Sequence, residues 1–189
     1  MCDFRRDLTQ VMGMNLGSEN SSSFTKLIAL ERIGIRMAAD FTTCGGSHLA
    51  KKSELARARA KLGPSREVLV VDDEALDAER LTATLRVIFG YELRIHLAST
   101  LGDAVDRVIA SKPCLVFLDD ILKPSANALQ AIPLLRGAGY TGPIIVLSGE
   151  VTHSRRSGLL ANGASDVIHK DEVDSVRVAE AIARLDFDA

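Results

Sequence analysis

The 189-residue sequence predicts an α/β protein: a doubly wound, five-stranded parallel sheet with an extra N-terminal helical segment. Three observations carry this. Five apolar runs alternate with five helix-patterned stretches between residues 67 and 185. The connections are short and carry Gly or Pro, as at Gly90, Lys112-Pro113 and Thr141-Gly142-Pro143. Two of the runs, Val68–Val71 and Leu115–Leu118, are uninterrupted by polar residues, as strands buried on both faces must be. Strand–helix alternation of this kind builds βαβ units and hence a parallel sheet covered on both sides.

In chain order, strands are expected at 67–71, 93–97, 114–119, 143–148 and 166–169. The helix over 75–88 places Leu81, Leu85 and Ile88 on one face. The helix over 100–111 does the same with Leu101, Val105, Val108 and Ile109. The stretch 126–136 carries Leu129, Ile132 and Leu135, but Pro133 inside it predicts a late start or a kink. Helices over 153–161 and 173–185 follow, the latter with Val176, Ala179, Ile182 and Leu185 at helical spacing.

Residues 1–66 read as an N-terminal extension, partly flexible with one or two helices, in front of a domain at 67–189. Residues 13–23 are rich in Gly, Ser and Asn. Residues 24–37 predict an apolar-faced helix, and 47–62 a second, with Ser47 as its cap and Gly63-Pro64 as its stop. Such a helix pair either packs on the α/β unit or serves self-association.

Composition excludes several classes. Hydrophobic residues are 47% and charged residues 25% of the chain, ordinary for a globular protein. No run approaches the roughly 20 apolar residues of a membrane span, and nothing near Met1 resembles a signal peptide. Three widely spaced cysteines, Cys2, Cys44 and Cys114, without a CxxC argue against a disulfide framework and against zinc, and fit a reducing cytoplasm. Residues 67–189 carry 12 Lys/Arg against 19 Asp/Glu, while 47–66 carry six against one. The basic block has no interleaved aromatics for base stacking, so a solvated helix face is preferred over a nucleic-acid site.

The chemistry is in two acidic pairs, each directly after a buried strand: Asp72-Asp73 and Asp119-Asp120. In one parallel sheet all four carboxylates share the carboxyl-terminal edge, where open α/β sheets bind ligands. Like charges so close raise each other's pKa unless a cation lies between them. An all-oxygen donor set points to Mg²⁺ and, with it, a phosphate.

Residues 67–185 resemble the receiver domain of two-component response regulators. The resemblance rests on four segments in order: Val68–Glu74, Lys112–Asp119, Gly142–Gly149 and Gly163–Lys170. It implies the flavodoxin-like strand order 2-1-3-4-5 and a phosphoryl group accepted from a sensor histidine kinase or a histidine phosphotransfer protein. It implies Asp72 and Asp73 as Mg²⁺ ligands with the phosphoacceptor and the backbone carbonyl of Ile121. Lys170 would stabilise phosphoryl oxygens, Ser148 would donate its hydroxyl to the phosphate, and Gly149 would leave room for the group to enter. Counting forward along the strand from Pro113 selects Asp119 as phosphoacceptor; counting back from Pro124 selects Asp120. Leu122, three residues after Asp119, decides for Asp119 and leaves Asp120 as a solvated loop carboxylate or a second charge near the metal.

Two positions depart from the family pattern. Val167 stands where an aromatic switch residue is usual, and Asp171 where a proline follows the lysine. Arg155-Arg156 reads as a solvated face, and the four histidines as structural or solvent-facing. The chain ends at Ala189, soon after the last helix, so the expectation is a stand-alone, non-enzymatic regulator that signals through protein contacts, homodimerisation among them. The rivals are a phosphorylation-independent binding or dimerisation module, an aspartate-nucleophile phosphohydrolase, and a nucleic-acid output in residues 1–66. The hydrolase signature is Asp-x-Asp, whereas Asp72 and Asp73 are adjacent.

Overall fold

The computed structural model describes residues 46–62, 66–123 and 126–187. Helix α1 spans Gly46–Leu62, followed by β1 (Glu67–Val71), α2 (Ala75–Phe89), β2 (Arg94–Ala98), α3 (Leu101–Ser111) and β3 (Leu115–Asp119). A two-residue ladder, β4 (Ile121–Leu122) against β5 (Ala126–Asn127), leads into α4 (Ala128–Gly137). Then come β6 (Ile144–Ser148), α5 (His153–Ala161), β7 (Asp166–His169), a 3-10 turn at Lys170–Glu172, and α6 (Ser175–Arg184). The main sheet is wholly parallel in the order β2-β1-β3-β6-β7, which is the expected 2-1-3-4-5 arrangement.

Local chemistry sets the helix starts. Thr100, Asn127 and Thr152 each accept a hydrogen bond from the backbone N–H three residues on, and Asp174 accepts two from Val176 and Arg177. The cap at Asn127 starts α4 at Ala128, five residues ahead of Pro133, so the late start expected from that proline is not seen. Pro133 lies inside α4, and the carbonyl its missing N–H leaves free, that of Leu129, accepts 2.8 Å from Asn162 Nδ2 instead. Lys170–Glu172, between the last strand and helix, is a separate turn. The hairpin-like ladder after β3 was not legible in the sequence, and it ties down the loop that follows Asp119.

Alternation along the strands divides the core in two. Val68, Val70, Leu115, Phe117, Ile145, Leu147 and Ile168 face α2 and α6. Leu69, Val71, Val116, Leu118, Ile144, Val146 and Val167 face α3, α4 and α5. Helix α1 joins the first layer: Ala58 and Leu62 are fully buried there, and Arg59 Nε donates to the Ile88 carbonyl at the end of α2. Of the two roles open to the basic helix, packing on the α/β unit is the one observed, with Lys51, Lys52 and Arg57 left in solvent. Ser47, expected as its cap, falls inside it. The helix expected at 24–37 lies outside the described residues. Among the described residues no helix is long and apolar enough to cross a membrane.

Because α1 shares a core layer with α2 and α6, Leu62→Ala is expected to cost about 2–4 kcal/mol. A urea denaturation midpoint unchanged from wild type would show that α1 is an appendage instead.

Candidate functional site at the carboxylate edge

Strand register brings the expected residues to one end of the sheet. Val71 pairs with Leu118, Asp119 with Leu147, and Ser148 with His169, so Asp72, Asp119, Ser148 and Lys170 all sit at the carboxyl-terminal ends of neighbouring strands. Their directions differ. Asp119 continues the Leu115, Phe117 side and Lys170 the Ile168 side, both toward α2 and α6. Asp120 and Ser148 continue the Leu118 and Val146 sides, toward α5. The edge therefore carries two clusters rather than one.

The first cluster is built around one ammonium. Lys170 Nζ lies 3.2 Å from Asp72 Oδ2, 3.1 Å from Asp119 Oδ2 and 2.8 Å from Asp77 Oδ2. Asp72 and Asp119 are buried. One carboxylate oxygen from each of Asp72, Asp73 and Asp119 lies within 4.8 Å of the others. Three hard oxygen donors at that spacing suit a small divalent cation that keeps some of its waters. Asp72 Oδ1 accepts 2.8 Å from the Glu74 backbone N–H, and the Ile121 N–H approaches Asp119 Oδ1 at 3.4 Å. The exposed Lys123 reaches Asp73 at 3.3 Å.

Burial raises the pKa of Asp72, against the pull of the Glu74 amide and Lys170. Burial, then the charge of Asp72, raises that of Asp119, against the pull of Lys170. Burial also works against the charge on Lys170, but Asp77, Asp119 and Asp72 together outweigh it and hold the ammonium strongly protonated. Asp77, in the first turn of α2, is the member that the sequence analysis missed. It carried no local signal, since an acidic residue in the first turn of a helix is ordinary.

The second cluster corrects two expectations. Asp120 is buried, not solvated: Arg155 grips it in a fork, with Nε 3.0 Å from Oδ2 and Nη2 2.5 Å from Oδ1. The Ser148 hydroxyl lies 2.8 Å from Asp120 Oδ2 and 2.9 Å from the Glu150 carbonyl. Nor are Arg155 and Arg156 a solvated face, since Arg156 donates to the Val167 carbonyl and to Asp166 Oδ1, both at 2.6 Å. Asp120 and Ser148 share a side by strand parity, which the sequence analysis did not apply to them. That inference needed the strand ends, which the sequence gives only approximately. Around Gly149 the surface is open: a Cβ there would meet no heavy atom within 4 Å.

A family model for the response regulator receiver domain matches residues 68–183. The chain belongs to that family. It is 33% identical over 103 residues to the response regulator MprA of Mycobacterium tuberculosis, a match covering 54% of this chain and 43% of that protein. It is 32% identical over 113 residues to the alkaline phosphatase synthesis transcriptional regulatory protein SphR of Synechococcus elongatus, covering 57% and 44%. The match thus spans less than half the length of these curated relatives. Among solved structures, the signal receiver domain of a Luxo repressor protein from Vibrio parahaemolyticus superposes with a TM-score of 0.55 at 22% identity, over 63% of this chain and 91% of that one. A two-component response regulator from Clostridium difficile gives 0.54 at 20% identity, over 63% and 97%. At these identities the structures show the receiver fold.

The raised Asp119 pKa fixes the sign of a stability effect. A carboxyl that binds its proton more tightly folded than unfolded destabilises the folded protein once ionised, and the penalty fades as pH falls toward the unfolded value of about 4. Asp119→Asn is therefore expected to be more stable than wild type at pH 7 in metal-free buffer, with the gap narrowing toward pH 4.5. Paired urea midpoints at the two pH values check this, and a wild type more stable at pH 7 would contradict it.

Proposed function

We propose that this receiver domain accepts a phosphoryl group on Asp119 in a Mg²⁺-dependent, self-catalysed step and signals through protein contacts. The observation that carries the reading is Lys170: its ammonium bridges Asp119 and Asp72 and makes no contact with Asp120. The attacking carboxylate must be the one whose charge a cation offsets, and both Asp120 oxygens are already held by Arg155 and Ser148. Asp119 Oδ attacks the phosphorus of a phosphohistidine, the P–N bond breaks, and the imidazole leaves with a proton. Lys170 stays close enough to follow the charge onto the phosphoryl oxygens. Asp72, Asp73, Asp119 and the Ile121 carbonyl would hold Mg²⁺, which when bound would offset the negative charge of the carboxylates and of the incoming phosphoryl group.

The donor would be a sensor histidine kinase or a histidine phosphotransfer protein. Leu76 and Ile121, 74% and 67% exposed beside the acidic edge, supply an apolar rim for such a helix-bearing partner. We place the start of the functional unit at α1 rather than at residue 67, because α1 completes a core layer. A phosphohydrolase is less well supported, since Asp72 and Asp73 are adjacent and the second faces Lys123.

With acetyl phosphate and Mg²⁺, a Phos-tag gel is expected to show a shifted band in wild type, none in Asp119→Asn, and none after EDTA. Lys170→Met is expected to slow the shift by at least about tenfold. A full shift in Asp119→Asn that disappears in Asp120→Asn would move the phosphoacceptor to Asp120.

A further inference from the structure

We propose that Asp120 is a built-in competitor for the phosphoryl group: in the unphosphorylated chain it holds Ser148 and Arg155, and phosphorylation of Asp119 takes both from it. This inference rests on Asp119 as the phosphoacceptor. The second cluster has the chemistry of a phosphate site with a carboxylate already in it. A buried anion is gripped by a forked guanidinium and a hydroxyl, with all contacts between 2.5 and 3.0 Å. Asp120 directly follows Asp119, and Ser148 ends β6, the strand beside β3. Asp119 and the two donors therefore lie on adjoining strand ends, although the Asp119 side chain itself belongs to the other cluster, and the phosphoryl group would have to reach across from it.

The competition has a definite direction. A hydroxyl carries one proton, so while Ser148 donates to Asp120 it cannot donate to a phosphoryl oxygen. An aspartyl phosphate brings close to two negative charges and several strong acceptor oxygens, and it repels the neighbouring Asp120 carboxylate. Arg155 is about one-third exposed and sits in the first turn of α5, facing an open pocket of about 420 Å³ that is also lined by Ile121, Ser148, Gly149 and Glu150. The guanidinium has room to turn. Its transfer cuts the tie between the end of β3 and the start of α5, which gives this domain a switch that needs no ring at the buried Val167.

Beryllofluoride with Mg²⁺ is the probe, titrated by ¹⁹F NMR against the full chain. Asp120→Asn, which removes the competitor's charge, is expected to bind it about tenfold more tightly, the worth of one charge-assisted hydrogen bond. Arg155→Gln is expected to bind it about tenfold more weakly. Opposite signs support the proposal; unchanged affinities, or weakening in both, overturn it and leave the pair a structural tie. In wild type the Arg155 Nε–H resonance, assigned by its loss in Arg155→Lys, is expected to move on addition of beryllofluoride. A resonance that stays put overturns the proposal even if Asp120→Asn fails to fold. If wild type binds no beryllofluoride, or Asp119→Asn binds it as wild type does, the phosphoacceptor reading itself has failed.

Discussion

One ammonium has to offset a concentration of negative charge that the sheet makes unavoidable. Parallel strands end together, so Asp72 and Asp119 meet at one edge, and Asp77 is added from the next helix. At about 3 Å and an effective dielectric constant near 20, each attraction between Lys170 and a carboxylate is roughly 5 kcal/mol before desolvation is counted. Lys170 gains from three carboxylates, which is why it stays charged despite burial. Asp72 and Asp119 gain from one cation and lose to burial, Asp72 also to the charge of Asp77 and Asp119 to that of Asp72, which is why their pKa values rise. Such an edge is not a device for stability, since buried ion pairs seldom repay their desolvation. It is a site whose charge is left unbalanced by one or two units, and that deficit is what an added cation would fill.

The fold was legible because its signals are local and redundant. Uninterrupted apolar runs, short Gly- or Pro-bearing connections and helical spacing in Val176, Ala179, Ile182 and Leu185 each point to the same layers. The first cluster was legible as well, because an acidic residue immediately after a buried strand can only lie at that strand's end. The second cluster was not. Asp120 looked like a loop residue because its partners, Ser148 and Arg155, are 28 and 35 residues away, and one of them belongs to a helix that sequence reading assigned to solvent. Asp77 was lost for a related reason: an acidic residue in the first turn of a helix is ordinary, and only Lys170, 93 residues on, makes it part of a site.

The same long-range contacts explain how α5 is attached. Among its nine residues only Leu159 is buried, so apolar packing holds it weakly. Polar contacts take over: Arg155 to Asp120 at the end of β3, and Arg156 to Asp166 and the Val167 carbonyl in β7. Asn162, just past its end, bonds the Leu129 carbonyl in α4. Asp166 is buried too, yet burial is outweighed there by the Val167 amide, Arg177 and Arg156, which hold its carboxyl below the ordinary range. The β7 attachment is thus a carboxylate saturated with donors, fixed over any ordinary pH. The β3 attachment is a carboxylate whose donors have a second place to go. The first turn of this short helix is thus held at two strands by two different kinds of tie, and the carboxylate that makes the tie to β3 is the immediate neighbour of Asp119.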